Sequence, residues 1–190
     1  GMLISADRNP NTNGARLVLG IEPGSRLDAI REGVRSGSVK GILTLGEDLT
    51  SPEAGFTAEE LDKLDYLFMT AHSANETARH ADLVLPGVTY AEKFGTMINV
   101  TGRIQRLNRA IQPIGYARDD WQIFRDITLL LGGNPALKNF NSALDILTAM
   151  STEYGALNGV SWGSIGDGGQ PILETGVTIP VVEREKNQGR

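Results

Sequence analysis

His72, Glu76 and His80 stand at i, i+4 and i+8, so they would share one face of a helix. Imidazole, carboxylate and imidazole make a zinc-type donor set. Glu76 also suits a capping role, however, and His72 would precede the helix, so no metal site is expected. A second group of candidates follows three short apolar runs. Gly46-Glu47-Asp48 comes after the first, Thr70-Ala71-His72-Ser73 after the second, and Pro86-Gly87-Val88-Thr89 after the third. If the runs are parallel strands, these segments lie where open α/β sheets bind ligands. An acid at the first exit can hold a ribose or a guanine edge. The second exit leads into a helix start, whose free N–H groups favour anions. The bland alternatives are solvated loop acids and an ordinary capped helix. The candidate cofactor-binding residues are therefore Gly46, Glu47, Asp48, His72, Ser73 and Glu76. Neither GxGxxG nor GxxxxGK[ST] occurs, and no nucleophile–base pair stands out, so no catalytic residue is assigned.

These candidates need elements to position them. Ser25 with Asp28, Thr57 with Glu60, and Ser73 with Glu76 each read as a capping box opening a helix. Between and after these helices lie the apolar runs at 39–45, 66–69 and 83–85. They are apolar throughout rather than alternating, which predicts strands covered on both faces. Their spacing suits crossover connections. The fold class is therefore α/β, a mostly parallel sheet flanked by helices. After Pro86 the pattern changes. Residues 96–100 and 104–107 read as a hairpin around Thr101-Gly102. A helix begins at Asp119 or Asp120, with Trp121, Phe124, Ile127 and Leu131 on its buried face, and Gly132-Gly133 stops it. Another follows Asn141-Ser142. The expected organisation is an α/β domain over 1–154 and an extension over 155–190. Within that extension the Gly-rich 155–170 reads as loop, and 177–182 as one edge strand before a charged tail.

Composition excludes several function classes. The 190 residues contain no cysteine, so disulfides, thiolate zinc sites, thiolate-held iron–sulfur clusters and a cysteine nucleophile are ruled out within this chain. A net charge of -5, with Lys and Arg scattered, gives no basic face for nucleic acid. No apolar run nears the roughly 18 residues of a spanning helix, and no signal-peptide pattern is visible. No direct membrane insertion and a cytoplasmic location are expected.

Within the stretch 81–106, three glycines, an acid, an asparagine and two arginines follow directly behind the apolar run at 83–85. Its polar residues can satisfy turn N–H and C=O groups, and Glu92 and Arg103 carry opposite charges on segments able to fold together. A compact structural turn is the physical reading. The pattern Ala81-Asp82-x-Val84-Leu85-Pro86, Glu92-x-x-Gly95-Thr96-x-x-Asn99, Gly102-Arg103-x-Gln105 resembles the molybdopterin oxidoreductase superfamily. Asn11-Thr12-Asn13-Gly14-Ala15, the GEDL of 46–49, Glu76-Thr77-Ala78, and Pro113 leading to Asp120-Trp121 extend the likeness over about residues 9–132. Phe94 and Val100-Thr101 depart from it, standing where many relatives carry acids.

Within the superfamily the likeness is drawn most strongly to the large G subunit of NADH-quinone oxidoreductase, respiratory complex I. The resemblance implies a structural and assembly domain with no bound cofactor, placed among other domains or subunits of a respiratory oxidoreductase complex. It would then lie peripherally on the inner face of the cytoplasmic membrane through that complex. The alternative it implies is a fragment of a formate dehydrogenase-like enzyme whose strand-exit loops hold the nucleotide part of molybdopterin guanine dinucleotide. A stand-alone nucleotide-binding module is a third reading, against which the missing glycine fingerprint counts. The relatives' clusters sit in cysteine-bearing domains, so this cysteine-free chain resembles only the later α/β portion.

Overall fold

The three apolar runs form strands β1 (Gly41–Leu45), β2 (Tyr66–Ala71) and β3 (Leu83–Pro86) in a computed structural model that describes residues 9–21 and 24–176. The strands pair in parallel in the order β1-β2-β3, with Leu43 beside Phe68 and Phe68 beside Leu83. Helix α1 (Thr12–Leu19) precedes them. Asn11 precedes α1 without capping it. Its side-chain oxygen instead accepts from Ile98 N at 2.8 Å, tying the helix to the hairpin beyond the sheet.

One face of the sheet is well covered. Helices α2 (Leu27–Ser36) and α3 (Ala58–Leu61) lay Val34 and Leu61 on Ile42 and Leu67, with Leu49, Ala54 and Phe56 completing the cluster. The Thr57–Glu60 capping box forms as expected. Two other expected boxes do not. Helix α2 begins at Leu27 without a side-chain cap, because the Asp28 carboxylate pairs with Arg31. The third helix, α4, is only Thr77–His80, so Ser73 caps nothing, and Asn75 Oδ1 accepts from Ala78 N instead.

The opposite face is covered in part. Helix α5 (Asp120–Leu130) sets Phe124 edge-on to Phe68, with ring centroids 6.0 Å apart. Ile123 is its buried residue, whereas Leu131, expected inside, is exposed at the C-cap. Leu43 and Leu45 of β1 remain 53% and 56% exposed, and Tyr66 43%. The expectation of two covered faces therefore holds over β2 and fails over β1, where no described helix lies opposite Leu43 and Leu45.

Strands β4 (Gly95–Ile98) and β5 (Arg103–Leu107) form the expected antiparallel hairpin. Gly102 at its turn has φ 75°, and a Cβ there would overlap the Leu173 carbonyl. No other residue type meets both conditions without strain. The 155–170 segment, expected as loop, is more ordered than its glycines suggest. After α6 (Ala143–Glu153) come a short 3-10 turn (Gly155–Leu157), helix α7 (Trp162–Ile165) and β6 (Gln170–Pro171), which pairs with β5. Leu157, Val160 and Ile165 bury against Ile98, Ile104 and Leu147 as a second core. Single apolar residues among glycines thus hold the segment down, although periodicity could not reveal them. The strand expected at 177–182 and the charged tail lie outside the described residues.

Candidate functional site

The parallel register fixes the strand exits. Leu45 stands beside Thr70, and Gly46, at φ 68°, donates its N–H to Thr70 O at 2.7 Å. Glu47 follows β1, and His72 and Ser73 follow β2, all exposed. Adjacent parallel strands thereby bring Gly46, Glu47, His72 and Ser73 to one end of the sheet.

Asp48 behaves differently. Its Oδ1 accepts from Thr50 N at 3.1 Å, Thr50 Oγ1 at 2.8 Å and Thr77 Oγ1 at 2.9 Å. Thr77 is fully buried, and its Oγ1 accepts in turn from Leu49 N at 2.7 Å. The Thr50 hydroxyl, ahead of the other donors, holds the Asp48 carboxyl below its ordinary range despite some desolvation. Asp48 therefore fastens its own loop to α4. Glu76 is also engaged, with Arg79 at 3.1 Å and His80 Nε2 at 3.9 Å, while His80 Nδ1 lies 2.7 Å from Asp62. His72 stays outside the helix. Among the described residues no group of three or more His, Asp or Glu is placed to hold a metal ion.

A second polar group lies past β3, and most of its members were not singled out from the sequence. Glu92 is buried at 3% exposure. Its Oε2 accepts from Thr89 N and Thr89 Oγ1, both at 2.8 Å, and its Oε1 from Ile114 N at 3.0 Å. The Thr89 backbone N–H, first among these, keeps the carboxyl well ionised and below its ordinary value. Glu92 thus closes the turn, and the expected partner Arg103 goes elsewhere, donating to the Gly168 and Gly169 carbonyls at 3.3 and 2.8 Å. The cation near Glu92 is Arg109, whose Nε donates to Glu92 O at 2.7 Å and whose Nη2 donates to Asp119 Oδ2 at 3.0 Å. Burial pushes the Asp119 carboxyl up, against the pull of Arg109. Asp120 links the sheet to α5, accepting from Thr70 Oγ1 at 2.7 Å and from Lys93 at 2.9 Å. The sequence signal for these residues was the acid pair ahead of Trp121, read only as a helix start. Phe94, one of the departures from the family pattern, packs on Trp162 with centroids 4.5 Å apart.

Beside this network opens a cavity of about 280 Å³, walled by Phe94, Arg109, Asp119, Trp121, Gln122 and Asn141 among others. Neither region pairs a nucleophile with a base.

The profile of the molybdopterin oxidoreductase family matches residues 8–129. The chain belongs to the molybdopterin oxidoreductase family. It is 32% identical over 138 residues to a provisionally named formate dehydrogenase of Staphylococcus haemolyticus (strain JCSC1435), covering 72% of this chain and 14% of that protein. A similarly named protein of Staphylococcus aureus (strain USA300) is 31% identical over 153 residues, covering 75% and 16%. The chain thus spans about one-seventh of the length of these relatives. Among solved structures, acetylene hydratase from Pelobacter acetylenicus superposes with a TM-score of 0.57 at 17% identity, over 73% of this chain and 19% of that one. At that identity the likeness speaks for the fold. The expected α/β family fold is thus found. The relatives carry the formate dehydrogenase name rather than that of the complex I G subunit.

The family implies a molybdopterin cofactor, and the strand exits carry polar groups of the kinds its nucleotide half would need. Glu47 offers an exposed carboxylate, while Ser73 and His72 add a hydroxyl and an imidazole within the same open end of the sheet. Asp48 fits less well, because one of its oxygens is already committed to the loop.

Proposed function

We propose that this chain is the nucleotide-holding α/β portion of a formate dehydrogenase-like molybdopterin oxidoreductase. The observation that carries the reading is the exposed group at the β1 and β2 exits, Gly46, Glu47, His72 and Ser73, in a chain whose named relatives are formate dehydrogenases. Glu47 would accept from ribose hydroxyls or a guanine edge. His72 and Ser73 would orient the neighbouring phosphate or sugar, and Gly46 lets the backbone turn aside for them. When bound, the cofactor supplies the two-electron chemistry at its metal. This chain supplies binding and orientation, and without cysteine it contributes no thiolate to a cluster. Electron transfer then falls to other domains or subunits of the oxidoreductase. The formate dehydrogenase relatives favour this reading over an assembly domain of a complex I G-type subunit.

Calorimetric titration with GDP tests it, with a Glu47→Ala/His72→Ala control. Saturable binding with a Kd of roughly 1 mM or tighter, lost in the folded control, is expected. Absence of binding from a folded sample at millimolar GDP overturns the reading and returns the domain to an architectural role.

A further inference from the structure

Helix α5 lies over β2 and leaves β3 bare beside it. Phe68 and Thr70 of β2 face α5, through the Phe124 ring and the Asp120 bond. Parallel pairing sets Leu83 beside Phe68 and Leu85 beside Thr70, so these two β3 side chains point to the same face. Leu83 is 40% exposed there, and no described helix lies over it. Between β3 and α5 runs a groove of about 390 Å³. Leu85 and Pro86 line it from the strand, Ile123, Ile127 and Leu130 from the helix, and Tyr116 from the loop before α5. The three helix residues stand at i, i+4 and i+7, one apolar stripe along α5. Exposure rises along it from 4% at Ile123 to 86% at Leu130, and Tyr116 is 94% exposed.

The groove's own chemistry says what fits. Its charged lining residues, Arg118 and Asp126, are already paired with each other at 2.6 Å, which favours an apolar occupant. An added strand is obstructed, because the Arg118 segment bridges to Gly87 and donates its N–H to Pro86 O at 3.1 Å, closing that end of the β3 edge. A helix is not obstructed. Packed helices lie about 8–10 Å apart, so the strip over β3 beside α5 is one helix wide. The last turn of α5 carries no basic residue, so the negative end of its dipole stands uncompensated at the exposed end of the groove. The chain corresponds to only 14% and 16% of the length of its two named relatives, so most of such a protein lies outside it. We propose that this groove seats an amphipathic helix from another part of the oxidoreductase. Its leucine or isoleucine stripe would lie on Ile127 and Leu130, with a lysine or arginine beside the α5 C-terminus. The inference rests on the reading of the chain as one portion of a larger formate dehydrogenase-like protein. A second copy of this chain suits the groove less, since two copies of net charge -5 repel.

Peptides of about 20 residues, long enough for an average helix, supply the probes. They are tiled over the Staphylococcus haemolyticus relative outside the stretch matched here, and each is titrated into the full chain. At least one tile with an apolar stripe at helical spacing is expected to bind with a Kd of roughly 100 µM or tighter, gaining helical circular dichroism as it does. Leu130→Asp should weaken that binding at least about tenfold, while Leu43→Asp on the β1 flank leaves it unchanged. Leu130 and Leu43 are 86% and 53% exposed, so neither variant opens the core. The absence of any binding tile, binding that persists in Leu130→Asp, or binding lost in Leu43→Asp instead overturns the proposal. A dimer of the chain in sedimentation that Leu130→Asp dissociates also overturns it, because the groove then takes its own kind. GDP titration of the same samples keeps the two readings apart. GDP binding without a bound tile sinks the helix seat alone, and a bound tile without GDP binding sinks the nucleotide reading alone.

Discussion

Two acidic loops flank the carboxyl end of the same sheet, and they use their carboxylates in opposite ways. At the β1 exit, Asp48 turns inward to three donors while Glu47 beside it is exposed. Past β3, Glu92 turns inward to three donors while the Asp119 carboxylate bonds only Arg109, through Oδ2, among the described residues. Each region pairs a structural acid with an available one. The structural acid fixes the loop, and the other faces solvent at Glu47 or a cavity at Asp119. The difference is shelter. Glu47 stands in solvent, whereas Asp119 lies in a cavity wall, so a hydrogen bond to Asp119 competes less with water.

The largest effect that would break this comparison comes from Glu92→Ala. It orphans the N–H groups of Thr89 and Ile114 and the Thr89 hydroxyl together, and is expected to lower Tm by roughly 5–10 °C in a thermal melt. A Tm unchanged within error would mean that the turn closes without its acid. The same group gives a pH signature. Glu92 and Asp48 both titrate below their ordinary values of 4.5 and 3.8. Their stabilisation is fully present above those values and is lost as pH falls through the depressed folded ones. Denaturant midpoints of the wild type should therefore fall steeply below about pH 4, and less steeply in Glu92→Ala.

Thr77→Val comes next. It removes the acceptor for Leu49 N and one donor to Asp48 from a fully buried position, and is expected to cost about 2 kcal/mol by urea denaturation. An effect as small as that of a surface change would leave Asp48 available as a binding acid, and the contrast with Glu47 would fade. The smallest effect belongs to Glu47→Ala/His72→Ala. Both side chains are exposed, so Tm should move by no more than about 1–2 °C while nucleotide binding is lost.

Much of the fold was legible in the sequence because the three strands are short apolar runs with turn residues on both sides. The hairpin was legible from Thr101-Gly102, and the Thr57–Glu60 box from its spacing. What stayed hidden has physical causes. Helix α1 was masked by Asn11-Thr12-Asn13-Gly14, a string of turn formers whose first asparagine bonds across to Ile98 rather than locally. The order in 155–170 rests on three isolated apolar residues anchored by long-range packing, which no local period records. Of the candidate site, Gly46, Glu47, His72 and Ser73 come together because parallel pairing aligns strand ends. Asp48 carried the same sequence signal as Glu47, yet only the position of Thr77 decides its role. The Arg109–Asp119 pair was out of reach, since its meaning depends on which atoms Glu92 leaves unpaired.

The bare flank of β1 governs how the chain behaves in a test tube. Leu43 and Leu45 on the edge strand β1, with Tyr66 on the neighbouring β2, make a sticky strip, and an apolar edge is a template for self-adhesion. At neutral pH the charge of -5 keeps molecules apart. Near the isoelectric point of about 5.1 that repulsion vanishes. Turbidity should therefore rise around pH 5, as the ordinary surface carboxylates begin to protonate and before the depressed Asp48 and Glu92 do and the fold itself begins to fail. Loss of solubility and loss of structure are thus separate events, set by different faces of the same small sheet.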